Sequence, residues 1–160
     1  IAHPDCTFLT VAANGPVTHG CSLYTAAQAS ACRQSAISFF MQMINAPAHY
    51  IAVENPVGIM STRHRKPDQI IQPWHFGDDA SKSTCLWLKN LPPLHDTNRL
   101  PGDRSTRRAN QTPSGQNRLG PSADRKKLRA ITYPGIAAAM ASQWTRHILN
   151  ANLNPLDVLL

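Results

Sequence analysis

His49-Tyr50-Ile51-Ala52-Val53-Glu54-Asn55-Pro56-Val57 is the stretch on which the fold turns. An apolar, β-rich run stops abruptly at a carboxylate and a proline, which predicts a strand over His49 to Val53 ending at Glu54. Pro56-Val57-Gly58 then turns the chain. A shorter piece of the same form opens the sequence: Ile1-Ala2-His3 reads as the tail of a buried strand, and Pro4-Asp5-Cys6-Thr7 follows it. Residues just past the carboxyl ends of strands line the ligand crevice of an open α/β sheet. Cys6 and Glu54, carried there by neighbouring strands, would offer a thiol and a carboxylate to one substrate.

Working outward, Tyr24 to Asn45 predicts a helix, alanine-rich with Ala29, Ala36, Phe40 and Met43 near helical spacing. It stops at Asn45-Ala46-Pro47, since the residue before a proline resists helical geometry. A helical turn is expected over Ile59 to Thr62, a short strand over Gln69 to Gln72, and a loop over Pro73 to Lys82. Thr84-Cys85-Leu86-Trp87-Leu88 reads as a strong strand, ended by Leu91-Pro92-Pro93-Leu94. Pro134 opens a last helix through about Asn150, with Ile136, Met140, Trp144 and Ile148 on one stripe. Strands interleaved with helices give an α/β class. There are too few strands for a complete doubly wound sheet, and the opening inside strand-like residues reads as a chain lacking its front part.

The chain has 160 residues, 42% of them hydrophobic, which suits one domain with a real core. No stretch approaches the roughly 20 apolar residues of a membrane span, and the start does not read as a signal peptide. A soluble, cytoplasmic protein with Cys6, Cys21, Cys32 and Cys85 reduced is expected. His3-x-x-Cys6 and His19-x-Cys21 offer zinc-type ligands on one loop, but neither spacing is a strong zinc signature, so no metal is expected.

Charge is concentrated. Between Arg99 and Arg129 lie nine basic and two acidic residues, a surplus of +7 that equals the formal net charge of the whole chain. Such a segment is the usual footprint of a phosphate-backbone partner. Arg104, Arg107, Arg108, Arg125, Lys126 and Lys127 are its candidate contacts, with Lys82 nearby in sequence. Residues 95–130 show no convincing periodicity and are expected to form an irregular insertion.

A thiolate and a protonated carboxyl on one pyrimidine can do specific chemistry. The carboxyl gives its proton to ring nitrogen-3, and carbon-6 then accepts the thiolate. Carbon-5 becomes enamine-like and takes a methyl group from a sulfonium donor. At these residues the chain resembles the cytosine-5 DNA methyltransferases, and more closely a small phage and metagenome group of methyltransferase-like proteins. The strand-His-Pro-Pro-Cys-Thr element stands as Ile1-Ala2-His3-Pro4-Asp5-Cys6-Thr7, and the Glu-Asn-Val/Pro element as Glu54-Asn55-Pro56. Gln72-Pro73-Trp74-His75-Phe76-Gly77 with Lys82 to Lys89 looks like the family's block near the target base. Thr132-Tyr133-Pro134-Gly135-Ile136-Ala137 resembles its last helix, which folds back toward the cofactor.

The resemblance implies a partial Rossmann-like, S-adenosylmethionine-dependent methyltransferase fold lacking its first strands, in a bacterial or phage-infected host cytoplasm. It implies Cys6 as nucleophile, Glu54 as the base-protonating acid and Asn55 as organiser of the loop. Pro4, Thr132, Tyr133 and Pro134 would lie toward S-adenosylmethionine, and Lys82 toward a carboxylate or phosphate. Two features depart from the pattern. Asp5 replaces the second proline, and no glycine-rich cofactor loop stands in the chain. A non-catalytic nucleic-acid-binding module using the 99–129 segment is the alternative, and an exposed sheet edge would invite self-association. Trp74, Trp87 and Trp144 are expected to pack in the core or at its edge, with base stacking the lesser reading for Trp74 alone.

Overall fold

A computed structural model describes residues 1–10, 24–120 and 122–152. The chain divides into two compact units: Ile1–Ile71 with Ser83–Pro93, and Gln72–Lys82 with Leu94–Leu160. The first unit is mixed α/β. Strands β1 (Ile51–Pro56), β2 (Gln69–Ile71) and β3 (Thr84–Lys89) form an antiparallel sheet in the order β1-β3-β2. The run Thr-Cys-Leu-Trp takes the centre because its residues are buried on both faces. β1 runs two residues further than the sequence predicts, through Asn55 and Pro56, because β3 supplies partners in Cys85 and Thr84.

Helix α1 (Ala26–Ile44) starts at Thr25, whose hydroxyl accepts from the Gln28 N–H while the Gln28 side chain accepts from the Thr25 N–H. Phe40 and Ile44 are its buried residues, joining Leu9, Ile51, Val53, Met60, Cys85 and Trp87 in one core cluster. Phe40 meets Trp87 edge to face with ring centroids 5.0 Å apart. The Trp87 indole N–H donates to the Arg65 carbonyl at 2.9 Å, so this fully buried ring leaves no donor unmet. Arg65 and the Leu88 N–H both donate to Asp68, which ties the turn before β2 to β3. The short helix α2 (Met60–Arg63) lies where one helical turn is expected.

In the second unit a 3-10 turn (Pro73–His75) precedes two helices, α3 (Arg125–Ala130) and α4 (Pro134–Asn152). Proline at the first position of α4 sets its start. Ile136, Ala139, Met140 and Trp144 are buried and Ile148 is half-buried, close to the expected stripe. The Gln143 amide closes a two-way hydrogen bond with the His95 backbone. The basic stretch is better ordered than its lack of periodicity predicts, since α3 lies inside it and Gln111 bridges Asn117. Its order comes from side chains that bond backbone. Asn110 both donates to and accepts from Ser81, and Asp103 accepts from Ser105 and Thr106. Trp74, Trp87 and Trp144 are all buried.

Candidate functional site

The opening residues lie beside β1. The Ala2 N–H donates to the Ala52 carbonyl at 2.8 Å, and the Glu54 N–H donates to the Ala2 carbonyl at 2.9 Å. This is a parallel bridge centred on Ala2 and Val53. His3 and Glu54 therefore leave the two segments side by side, as the sequence predicts for neighbouring strand ends. His3 Nδ1 lies 3.0 Å from Glu54 Oε2, with the histidine side chain 46% exposed and the glutamate 17%.

Two further ties hold the loop that carries Cys6. Asn55, itself 1% exposed, donates from Nδ2 to the Pro4 carbonyl at 3.1 Å. After Cys6 the chain makes one turn, with the Leu9 and Thr10 N–H groups donating to the Cys6 carbonyl. It then returns to the chain beyond β1, where Ile59 N–H donates to the Leu9 carbonyl at 2.9 Å and Thr10 bridges Gly58. A Cβ at position 58 would collide with the Leu9 carbonyl, so glycine is required for this closure. The stretch from His3 to Thr10 is thus fastened to β1 and its following turn at both ends.

Asp5 closes a local turn onto Thr7. Its carboxylate accepts from the Thr7 N–H at 2.8 Å and from the Thr7 hydroxyl at 2.6 Å, a local turn that spreads its charge. Cys6 is half-buried. Cys85, opposite Asn55 on β3, is fully buried. Burial first, and the Glu54 carboxylate second, push its thiol up to about 11, so it stays protonated at neutral pH. The Asn55 Oδ1 atom is buried with no hydrogen-bond partner among the described residues.

The His3–Glu54 contact is the feature that sequence reasoning missed. His3 stands out there only as a possible zinc partner of Cys6, and its link to Glu54 needs the parallel register of Ala2 on β1. His19 and Cys21 lie outside the described residues, and no group of three or more metal-ligating side chains occurs among the described ones.

The predicted phosphate contacts separate by exposure. Arg104, Arg107 and Lys127 are exposed, and Arg125 is half-buried at the start of α3. The side chain of Lys126 lies outside the described residues. Lys82 is half-buried, with its N–H on the Gln72 side-chain oxygen at 3.0 Å. Arg108 departs from the expectation of an open surface contact. It is buried, with its guanidinium 4.6 Å from the centre of the Trp74 ring.

Of the residues expected toward a cofactor, Pro4 is buried and its carbonyl already accepts from Asn55. The Tyr133 hydroxyl accepts from Asn110 at 3.3 Å. Thr132 is half-buried and Pro134 exposed. No helix among the described residues is long and apolar enough to cross a membrane. No family model, curated protein or solved structure matches the chain.

Proposed function

We propose that this chain carries the base-activating half of a DNA (cytosine-5) methyltransferase. The observation that carries the reading is the parallel pairing of Ala2 with Val53, which brings the Cys6 loop and Glu54 to one end of adjacent segments. The His3–Glu54 and Asn55–Pro4 hydrogen bonds hold that arrangement. In the proposed step a cytosine, turned out of its stack, receives a proton at nitrogen-3 from Glu54 as the Cys6 thiolate attacks carbon-6. His3, exposed and bonded to Glu54, connects the carboxyl with solvent for the return of the proton. The methyl donor implied by the reading is S-adenosylmethionine. No step here runs through it. The exposed cations of the 99–129 segment would hold the DNA backbone.

Trapping tests the base-activating step alone. The full chain is incubated with a mixed-sequence oligonucleotide pool carrying pyrimidin-2-one, a ring open to attack at carbon-6 without a methyl donor. Denaturing mass spectrometry should find one oligonucleotide joined to Cys6. C6S should abolish the adduct, and E54Q should slow it by about 10²–10⁴-fold, the usual worth of a positioned acid. Absence of any adduct, or one on Cys32 instead, would sink the reading. Salt-sensitive binding without an adduct would favour the second reading, a nucleic-acid-binding module, for which the concentration of charge in one segment speaks.

A further inference from the structure

The second unit buries a cation that nothing in it fully answers. The Arg108 side chain is 5% exposed. Its guanidinium stacks on Trp74, and Arg99 lies 4.5 Å from the same ring. The two arginines are served differently. Arg99 is half-exposed and hydrogen-bonded to Asp96 at 2.5 Å. The carboxylate facing Arg108 is Asp79, 56% exposed and 3.9 Å from Nη1, too far for a hydrogen bond. The Nε and Nη2 atoms of Arg108 are shut off from solvent and have no hydrogen-bond partner among the described residues.

Those two nitrogens share one edge of the guanidinium. It is the edge that meets a carboxylate or phosphate with two parallel N–H···O bonds. The indole face offsets part of the cost of burying the charge, but it engages the flat side of the group and leaves the edge donors unmet. A buried charged fork with both prongs empty lacks an anion.

We infer that the Nε–Nη2 edge of Arg108 is the seat of a phosphate group, each nitrogen donating to one phosphate oxygen. Phosphate is favoured over carboxylate by the surroundings. The net positive charge of the chain falls between Arg99 and Arg129, and the flanking Arg104 and Arg107 are exposed to draw in a multiply charged anion. His75, next to Trp74, has its pKa lowered, first by burial and then, against the pull of Asp96, by the Arg99 and Arg108 charges. The source is a phosphodiester of a nucleic-acid strand, and free inorganic phosphate offers the same oxygens. This seat stands independently of the Cys6 chemistry, since every residue in it belongs to the second unit.

The test follows thermal unfolding of the full chain at fixed ionic strength, with added inorganic phosphate or a single-stranded tetrathymidylate. Wild-type Tm should rise with ligand concentration, as for any ligand that binds only the folded state. R108M keeps the apolar stem and loses the fork. It should unfold at or above the wild-type Tm without ligand and lose the response. R108K keeps the charge without the fork and should bind about tenfold or more weakly, from the loss of charge-assisted hydrogen bonds. A response to tetrathymidylate alone identifies the nucleic-acid source, whereas a response to both shows that free phosphate suffices. No response in the wild type overturns the inference, as does an undiminished response in either variant. Should R108M fail to fold, R108K decides.

Discussion

Residue by residue, Cys6 and Cys85 differ in chemistry although both sit in the first unit. Cys85 is fully buried with its thiol pushed up to about 11, while Cys6 is half-buried in a loop. Iodoacetamide at pH 8 should therefore label Cys6 well before Cys85, with peptide mass mapping as the measure. A raised thiol pKa favours the protonated folded state. Its contribution to stability is whole below the ordinary value of 9.0 and fades as pH rises toward about 11. Urea midpoints measured from pH 8 to 11 should fall in the wild type and fall less in C85A. Cys6, Glu54 and Asn55 were legible in the sequence as candidates because a thiol and a carboxylate each follow a strand-like run. The partnership of His3 with Glu54 was not, because it depends on register between segments about fifty residues apart. The burial of Arg108 was also hidden. A guanidinium inside a basic stretch looks solvated until Trp74 is brought beneath it.

At the level of elements, the strands and long helices follow from local pattern. Apolar runs placed β1 and β3, and helical spacing with proline punctuation placed α1 and α4. The stretch between Leu94 and Ala130 shows no such pattern, because hydrogen bonds donated by the Asn110 and Gln111 side chains and accepted by the Asp103 carboxylate order it instead of a repeating face. Two substitutions probe how elements are joined. G58A drives a methyl into the Leu9 carbonyl. It should cost about 1–3 kcal/mol in urea unfolding and slow adduct trapping at Cys6, since the loop can no longer close on the chain after β1. Asp68 holds the approach to β2 against β3. Burial works to raise its pKa, but hydrogen bonds from Arg65 and the Leu88 N–H outweigh it and the net direction is down. A depressed carboxyl stabilises the fold above its ordinary 3.8 and loses that contribution as pH falls through the folded value. D68N should therefore lower stability near pH 7 by about 1 kcal/mol, discounted for exposure, and flatten the acid limb of the stability profile.

For the whole molecule, charge and sheet edges set how it meets other molecules. Binding to a random DNA duplex should weaken steeply with salt, and R104E/R107E should both weaken it and shallow the slope of log affinity against log salt. A slope unchanged by that double variant would remove these two side chains from the interface. β2 forms one edge of the sheet, three residues long with Ile70 51% exposed. So short an edge offers little template for pairing with another copy.

The chain also passes from one unit to the other three times, after Ile71, Lys82 and Pro93. The central strand β3 belongs to the first unit but follows an excursion into the second. On a ribosome, β1 and β2 emerge with no strand between them and wait for about a dozen more residues before β3 arrives to pair with both. Completion of the first sheet during synthesis is therefore tied to residues past Lys89 leaving the exit tunnel. A nascent chain arrested short of that point would expose two unpaired strands to whatever chaperone meets it first.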